Sequence, residues 1–286
     1  MKNACNAQKD LTSILNRPNI MVFSLNKIFT TCTALPKNGG VIEIEPISAL
    51  KPYIRCFWIS EKCNANQSMR IIPDCCADII IDVDNRSAKF VGMSFDSFLT
   101  ENTSKVFGIR FYAWVVPYFV RVDADKLYNS HIPPENLFCN FAEFQDSIIR
   151  AKSTMQRIAL SENYLLQLID ERHDDDVMNC LHSIIVHNGN ISVNRLADEI
   201  AVSKRTLERK FSQNVGVSPK AVAELIRYQL LWQDCITTGG FDVFDEVDKF
   251  GYYDQAHMIN DFKKYHGIGI GDARSEYFDL SRKVDF

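Results

Sequence analysis

The chain has 286 residues, 46% hydrophobic and 24% charged, with a net charge of −4; this supports two packed domains and excludes a protein that grips nucleic acid by bulk positive charge. No run approaches the roughly 18–20 uninterrupted apolar residues of a membrane span, and Met1 to Cys5 leads into polar residues rather than an apolar signal core, so the expectation is cytoplasmic, with no membrane partner. Nine cysteines are scattered without a CxxC pair, and the odd count favours reduced, mostly buried thiols over a disulfide framework.

Residues 1–40 read as an N-terminal extension. From Val41 to about Val122, β-branched and aromatic runs alternate with turn residues, as in Val41 to Glu45, Tyr53 to Ile59, Ile79 to Val83 and Lys105 to Tyr112. These runs predict a β-rich domain over 41–150. From Asp125 the spacing turns helical: Phe141, Phe144, Ile148 and Ile149 share a face, and Ile158, Leu160, Tyr164, Leu165 and Leu168 continue it into a helical linker over 151–172. The acidic run Glu171 to Asp176 precedes Val177, Leu181, Ile184 and Ile185, placing negative charge where a helix N-terminus favours it. A domain boundary falls near His173, the alternative being a solvated acidic kink inside one helix.

The segment 173–280 contains a repeat. Ser192 to Ile200 forms one short helix with Leu196 and Ile200 facing inward, and Ser203 offers an N-cap for a second. In that second helix Leu207 and Phe211 stand four apart, while Lys204, Arg205, Arg209 and Lys210 lie elsewhere on the cylinder. Fifty-one residues later Met258 answers Leu207, Phe262 answers Phe211 and Gly267 answers Gly216. The second unit starts with Asp242 to Phe250, turns at Gly251-Tyr252, and begins its second helix at Asp254, with Gln255, His257, Asn260, Lys263 and Lys264 as its outward residues. Between the units Lys220 to Cys235 is helical in pattern, a strut of roughly 25 Å at about 1.5 Å per residue. Two helices so held can enter successive major grooves of double-stranded DNA, which repeat about every 34 Å.

The series Ser203-x-Arg205-x-Leu207-x-Arg209-x-Phe211, Gly216-Val217-Ser218-Pro219, Arg227-Tyr228-Gln229, Gly251 to His257, Phe262 and Gly267 resembles the AraC/XylS regulator signature over about 100 residues. The resemblance implies a sequence-specific transcription regulator, an activator working with RNA polymerase, whose second helix in each unit reads DNA. It gives base-reading roles to Arg205, Glu208, Arg209, Gln255, His257 and Asn260, since Arg pairs bidentately with guanine and Gln or Asn with adenine. Lys204, Lys210, Lys263 and Lys264 fit phosphate contacts. Ala201 replaces the usual Gly or Asn of the first turn, Glu246-Val247 replaces an apolar-Ala pair, and Ile270 stands where Pro219 stands in the first unit. Acidic residues also outnumber basic ones from His173 onward, so the first unit is expected to supply most of the DNA grip.

In the N-terminal half, Lys51 to Ile59, Arg70 to Ile81 and Gly108 to Phe111 resemble the sensor domain of one branch of these regulators, although the Pro-Gly pair common after Arg-Phe is absent from Tyr112 to Val115. The resemblance implies a barrel or half-barrel that binds a small-molecule effector of unknown identity or makes a homodimer. The expected fold is α+β: a β-rich, barrel-like sensor domain followed by an all-α domain with two helix-turn-helix units. Phe57, Trp58, Phe111, Tyr112 and Trp114 could line an effector pocket or simply fill the core. Arg70 and Arg110, like Arg55, could hold an acidic ligand or face solvent. Cys75-Cys76 would point to opposite strand faces and ligate a metal poorly. No GxGxxG, Walker loop, HExxH or GxSxG motif occurs and the six histidines form no ligand pair, so no catalysis, cofactor or metal is expected. The alternative function is a helical adaptor that has lost DNA binding and regulates a partner protein.

Overall fold

A computed structural model of the chain describes residues 41–61, 68–101, 103–120, 122–169, 174–237 and 242–284. The expected extension over 1–40 and the boundary at His173 lie outside the described residues.

The β-branched runs form strands β1 (Val41–Ile44), β2 (Ile54–Ser60), β3 (Ser68–Ile71), β4 (Cys76–Asp82), β5 (Ser87–Val91), β6 (Phe98–Glu101), β7 (Val106–Tyr112) and β8 (His131–Ile132). Six of them make an antiparallel sheet in the order β1-β2-β7-β4-β5-β8, and β3 pairs with β6 in a separate ladder. Among the described residues β1 and β8 do not pair, so the domain is β-rich and open, without a closed barrel.

Strand alternation sorts the side chains onto two faces. Phe57 pairs with Ile109, Ile59 with Phe107, Ile79 with Ile109 and Ala77 with Phe111, and this face is buried. Helices α1 (Phe141–Arg150) and α2 (Thr154–Leu168) complete this half of the chain. Phe138 bridges sheet and helices, 6.2 Å from Phe111 and 6.2 Å from Phe141 between ring centres, and Phe144 stacks on Tyr164 at 4.0 Å. The Glu162 carboxylate accepts the Ile47 N–H at 2.8 Å, so α2 is tied to the β-rich half.

Seven further helices follow: α3 (Asp175–Val186), α4 (Val193–Glu199), α5 (Lys204–Asn214), α6 (Pro219–Thr237), α7 (Val243–Lys249), α8 (Gln255–His266) and α9 (Ile270–Val284). Five begin at a polar residue whose side chain accepts a backbone N–H of the first turn: Asp174 for α3, Ser192 for α4, Ser203 for α5, Asp242 for α7 and Asp254 for α8. Tyr228 and Trp232 of α6 are fully buried against Phe262 of α8, their ring centres 5.6 and 5.9 Å from it.

The two halves share one continuous apolar core. The turns at Ala113–Tyr118 and Ala124–Lys126 pack on α5, and Gly216 (φ 87°) lies so close that a Cβ there would come within 2.5 Å of the Ala124 carbonyl oxygen. Elsewhere the Gln229 side-chain amide of α6 donates to the Pro73 carbonyl, Phe95 packs 6.1 Å from Tyr265 of α8, and Arg70 pairs with Glu276 of α9 at 3.4 Å. The N-terminal domain therefore touches the strut and both helical pairs.

Candidate nucleic-acid interface

Each helical pair is a short helix, a tight turn and a longer second helix. The first turn needs a left-handed residue and takes Ala201 at φ 54°; the second takes Gly251 at φ 64°. Glycine adopts that conformation without strain and alanine does not. Beyond the turns the pairs keep common fixed points: N-caps Ser203 and Asp254, fully buried Leu207 and Met258, fully buried Phe211 and Phe262, and exit glycines with φ 87° at Gly216 and 82° at Gly267. Both second helices thus have the same rotation about their own axes relative to the core beneath them.

On α5, Lys204, Arg205, Glu208 and Arg209 are exposed, with Lys204 3.9 Å from Glu208 one turn on. Among the described residues no ion pair engages Arg205 or Arg209. Lys210 is different: its Nζ lies 2.8 Å from Asp174 and 3.1 Å from Asp176, half-buried, so it ties α5 to the start of α3. Those two carboxylates raise the Lys210 pKa.

On α8, Asn260 and Lys263 are exposed on the outward face, together with Ala256 and Ile259. Gln255 is half-buried, and the His257 ring turns back to lie edge-on to Tyr252, 5.2 Å away between centres. Gln255 and His257 flank the face whose first-unit counterparts are Arg205, Glu208 and Arg209. Lys264 is drawn aside to Glu224 at 3.5 Å, with its ammonium 4.4 Å from the Tyr265 ring centre.

Buried polar contacts clamp α8 to the strut. Tyr228 Oη and His266 Nδ1 are 2.9 Å apart, and the His266 ring stacks on Phe262 at 4.8 Å. Burial, reinforced by Arg70, pushes the His266 pKa down to about 3, keeping the ring neutral. Arg227 pairs with Asp261 at 3.5 Å and covers the Tyr252 ring at 4.2 Å.

Glu246 occupies the place in α7 that Leu196 occupies in α4: each lies four residues after its N-cap, and both are buried. Burial first, and then the neighbouring Asp234 carboxyl, raises the Glu246 pKa to about 7, with Lys249 opposing at 3.5 Å.

The residues expected around an effector do not converge. Phe57 and Phe111 face the sheet core, whereas Trp58 and Arg110 lie on the opposite face: Arg110 pairs with Asp78 at 3.0 Å, and the Trp58 indole donates to the same carboxylate at 2.8 Å. Tyr112 shares that second face and stacks on Trp114 at 5.5 Å, while Arg70 belongs to the domain interface. A cavity lined by Phe90, Met93, Val116, Leu127 and Val215 has about 10 Å³ of free volume, room for a single water. Sequence reasoning missed Ala256 and Ile259, although the 51-residue spacing already marked them; it also missed the interface, which leaves no local pattern.

Residues 42–133 match a domain of unknown function (DUF6597), and residues 196–276 match a helix-turn-helix domain. No curated protein matches the sequence. Among solved structures, the chain is similar to the C-terminal domain of AraT, a response regulator from Geobacillus stearothermophilus, at 20% identity over 37% of this chain and 88% of that one (TM-score 0.35). It is similar to the xylose-binding transcription activator XylR at 20% identity over 40% of this chain and 30% of that one (TM-score 0.34). It is also similar to ToxT from Vibrio cholerae at 13% identity over 83% of this chain and 97% of that one (TM-score 0.38).

Proposed function

With residues 196–276 a helix-turn-helix domain of the AraC/XylS type, we propose that this DNA-binding transcription regulator is sequence-specific and grips its operator mainly through α5. The observation that carries the reading is the exposed, unpaired Arg205 and Arg209 on one face of α5 beside Lys204. Arginine one turn apart suits guanine O6 and N7 in the major groove, and Lys204 and Lys263 suit the flanking phosphates. Glu208 would accept from cytosine N4, and Asn260 would address adenine in the second half-site. The strut α6 has 19 residues, so it spans roughly 28 Å at 1.5 Å per residue, near enough to the groove repeat for modest bending to close the gap.

The finer reading is an activator that contacts RNA polymerase and responds through the N-terminal domain, by effector binding or by dimerisation. Because Arg110 is already matched by Asp78, an acidic effector would have to displace a bidentate ion pair to use it.

A salt-titrated gel shift of the full chain on the DNA upstream of its own gene tests DNA reading. Sequence-specific retention is expected, weakened by about 5- to 150-fold in Arg205→Ala or Arg209→Ala, the 1–3 kcal/mol of a bidentate contact. Absence of specific retention even at low salt would leave the protein-contact adaptor as the better reading.

A further inference from the structure

The geometry points to a division of labour between the two reading helices: α8 addresses thymine methyl groups through Ala256 and Ile259, so its half-site is A·T-rich, whereas that of α5 contains guanine. This inference rests on the DNA-binding reading above and specifies what the second unit recognises. The fixed points decide it. Asp254, Met258, Phe262 and Gly267 each lie 51 residues after Ser203, Leu207, Phe211 and Gly216, and in both helices the cap accepts the N–H three residues on, at 3.2 Å for Ser203 and 2.7 Å for Asp254. Since side chains follow the helical turn, the face that carries Arg205, Glu208 and Arg209 on α5 carries Ala256, Ile259 and Asn260 on α8. All six are exposed.

An exposed isoleucine is ordinary on a protein surface. Here, however, Ile259 is 38% exposed at the centre of the outward face, between Asn260 and Lys263 and next to Ala256. Two aliphatic side chains offer a base edge no hydrogen bond. The apolar feature on the major-groove edges is the thymine C5-methyl group, and burying it against them is favourable. A G·C pair in the same place would lose water from guanine N7 and O6 or cytosine N4 without replacement, which penalises it. Asn260 completes the preference, since its amide matches adenine N6 and N7, and Lys263 one turn on fits the adjoining phosphate. The first helix, with two arginines at the equivalent places, has the opposite taste.

Selection of the full chain from a random duplex library, followed by replacement of each thymine in the enriched site with deoxyuridine, tests this. The expected site pairs a guanine-containing element with an A·T-rich one about a helical turn away. Each uracil in the A·T-rich element should weaken the wild-type protein about fourfold, the worth of one buried methyl, and should weaken Ile259→Ala less; this variant alters only an exposed side chain and should keep the wild-type melting temperature. A second element rich in G·C, or one indifferent to loss of the thymine methyls, overturns the inference while leaving DNA reading intact. No enriched site at all overturns both. The uracil comparison uses unaltered protein, so it does not depend on the variant folding.

Discussion

Glu246 sits where the first helical unit has Leu196, and burying it costs the second unit stability. The folded carboxyl titrates near 7 against an ordinary 4.5, so between those values the folded chain holds a proton that the unfolded chain has released. Stability contributed by this group is therefore intact below 4.5, falls as pH rises, and is lost above 7. The difference in pKa corresponds to about 2–3 kcal/mol. We expect Glu246→Gln to melt at a higher temperature than wild type at pH 8, with the two converging near pH 4.5. Thermal unfolding of both across that range checks it, since every other titrating group is common to the pair; parallel curves would mean that Glu246 is not the titrating group. The misfit was visible in the sequence as Glu246-Val247 at an apolar position, as was Ala201 in the first turn. Its resolution was not, because Asp234 and Lys249 reach Glu246 through the packing of α6 against α7.

At the scale of elements, helix starts were legible because caps and apolar spacing are local. Asp174, Ser192, Ser203, Asp242 and Asp254 all cap as their side chains allow. What a side chain meets across elements was not legible. Lys204 and Lys210 look alike on α5 and differ only because α3 brings Asp174 and Asp176 beneath one of them. The same limit separated the effector candidates: Arg110, Phe111 and Tyr112 are consecutive on β7, so alternation sends Phe111 to the core and its neighbours to the other face. Lys204→Ala should lower the slope of log affinity against log salt by about one, the signature of one phosphate contact. Lys210→Ala should leave the slope unchanged while lowering the melting temperature slightly. Equal loss of slope in both would show that Lys210 leaves its carboxylates for the backbone of DNA.

Across the whole molecule, the N-terminal domain is a third determinant of how the two reading helices lie, beside the strut and their own turns. It meets α5 through Gly216, α6 through Gln229, α8 through Phe95 on Tyr265, and α9 through Arg70 on Glu276. A change in this domain therefore has a physical route to both helices, provided that the interface is strong enough to couple them. The continuous core predicts that it is, and that the chain unfolds in one calorimetric transition. Removing the half-buried Phe95 ring and the buried Gln229 amide together costs about 2–4 kcal/mol of docking while sparing the core of each domain. The Phe95→Ala, Gln229→Ala double variant should then split or broaden the calorimetric transition and increase hydrogen exchange along α6. If it keeps a single sharp transition at the wild-type temperature, these contacts do not couple the domains, and any signal from the N-terminal half must pass through the turns packed on α5.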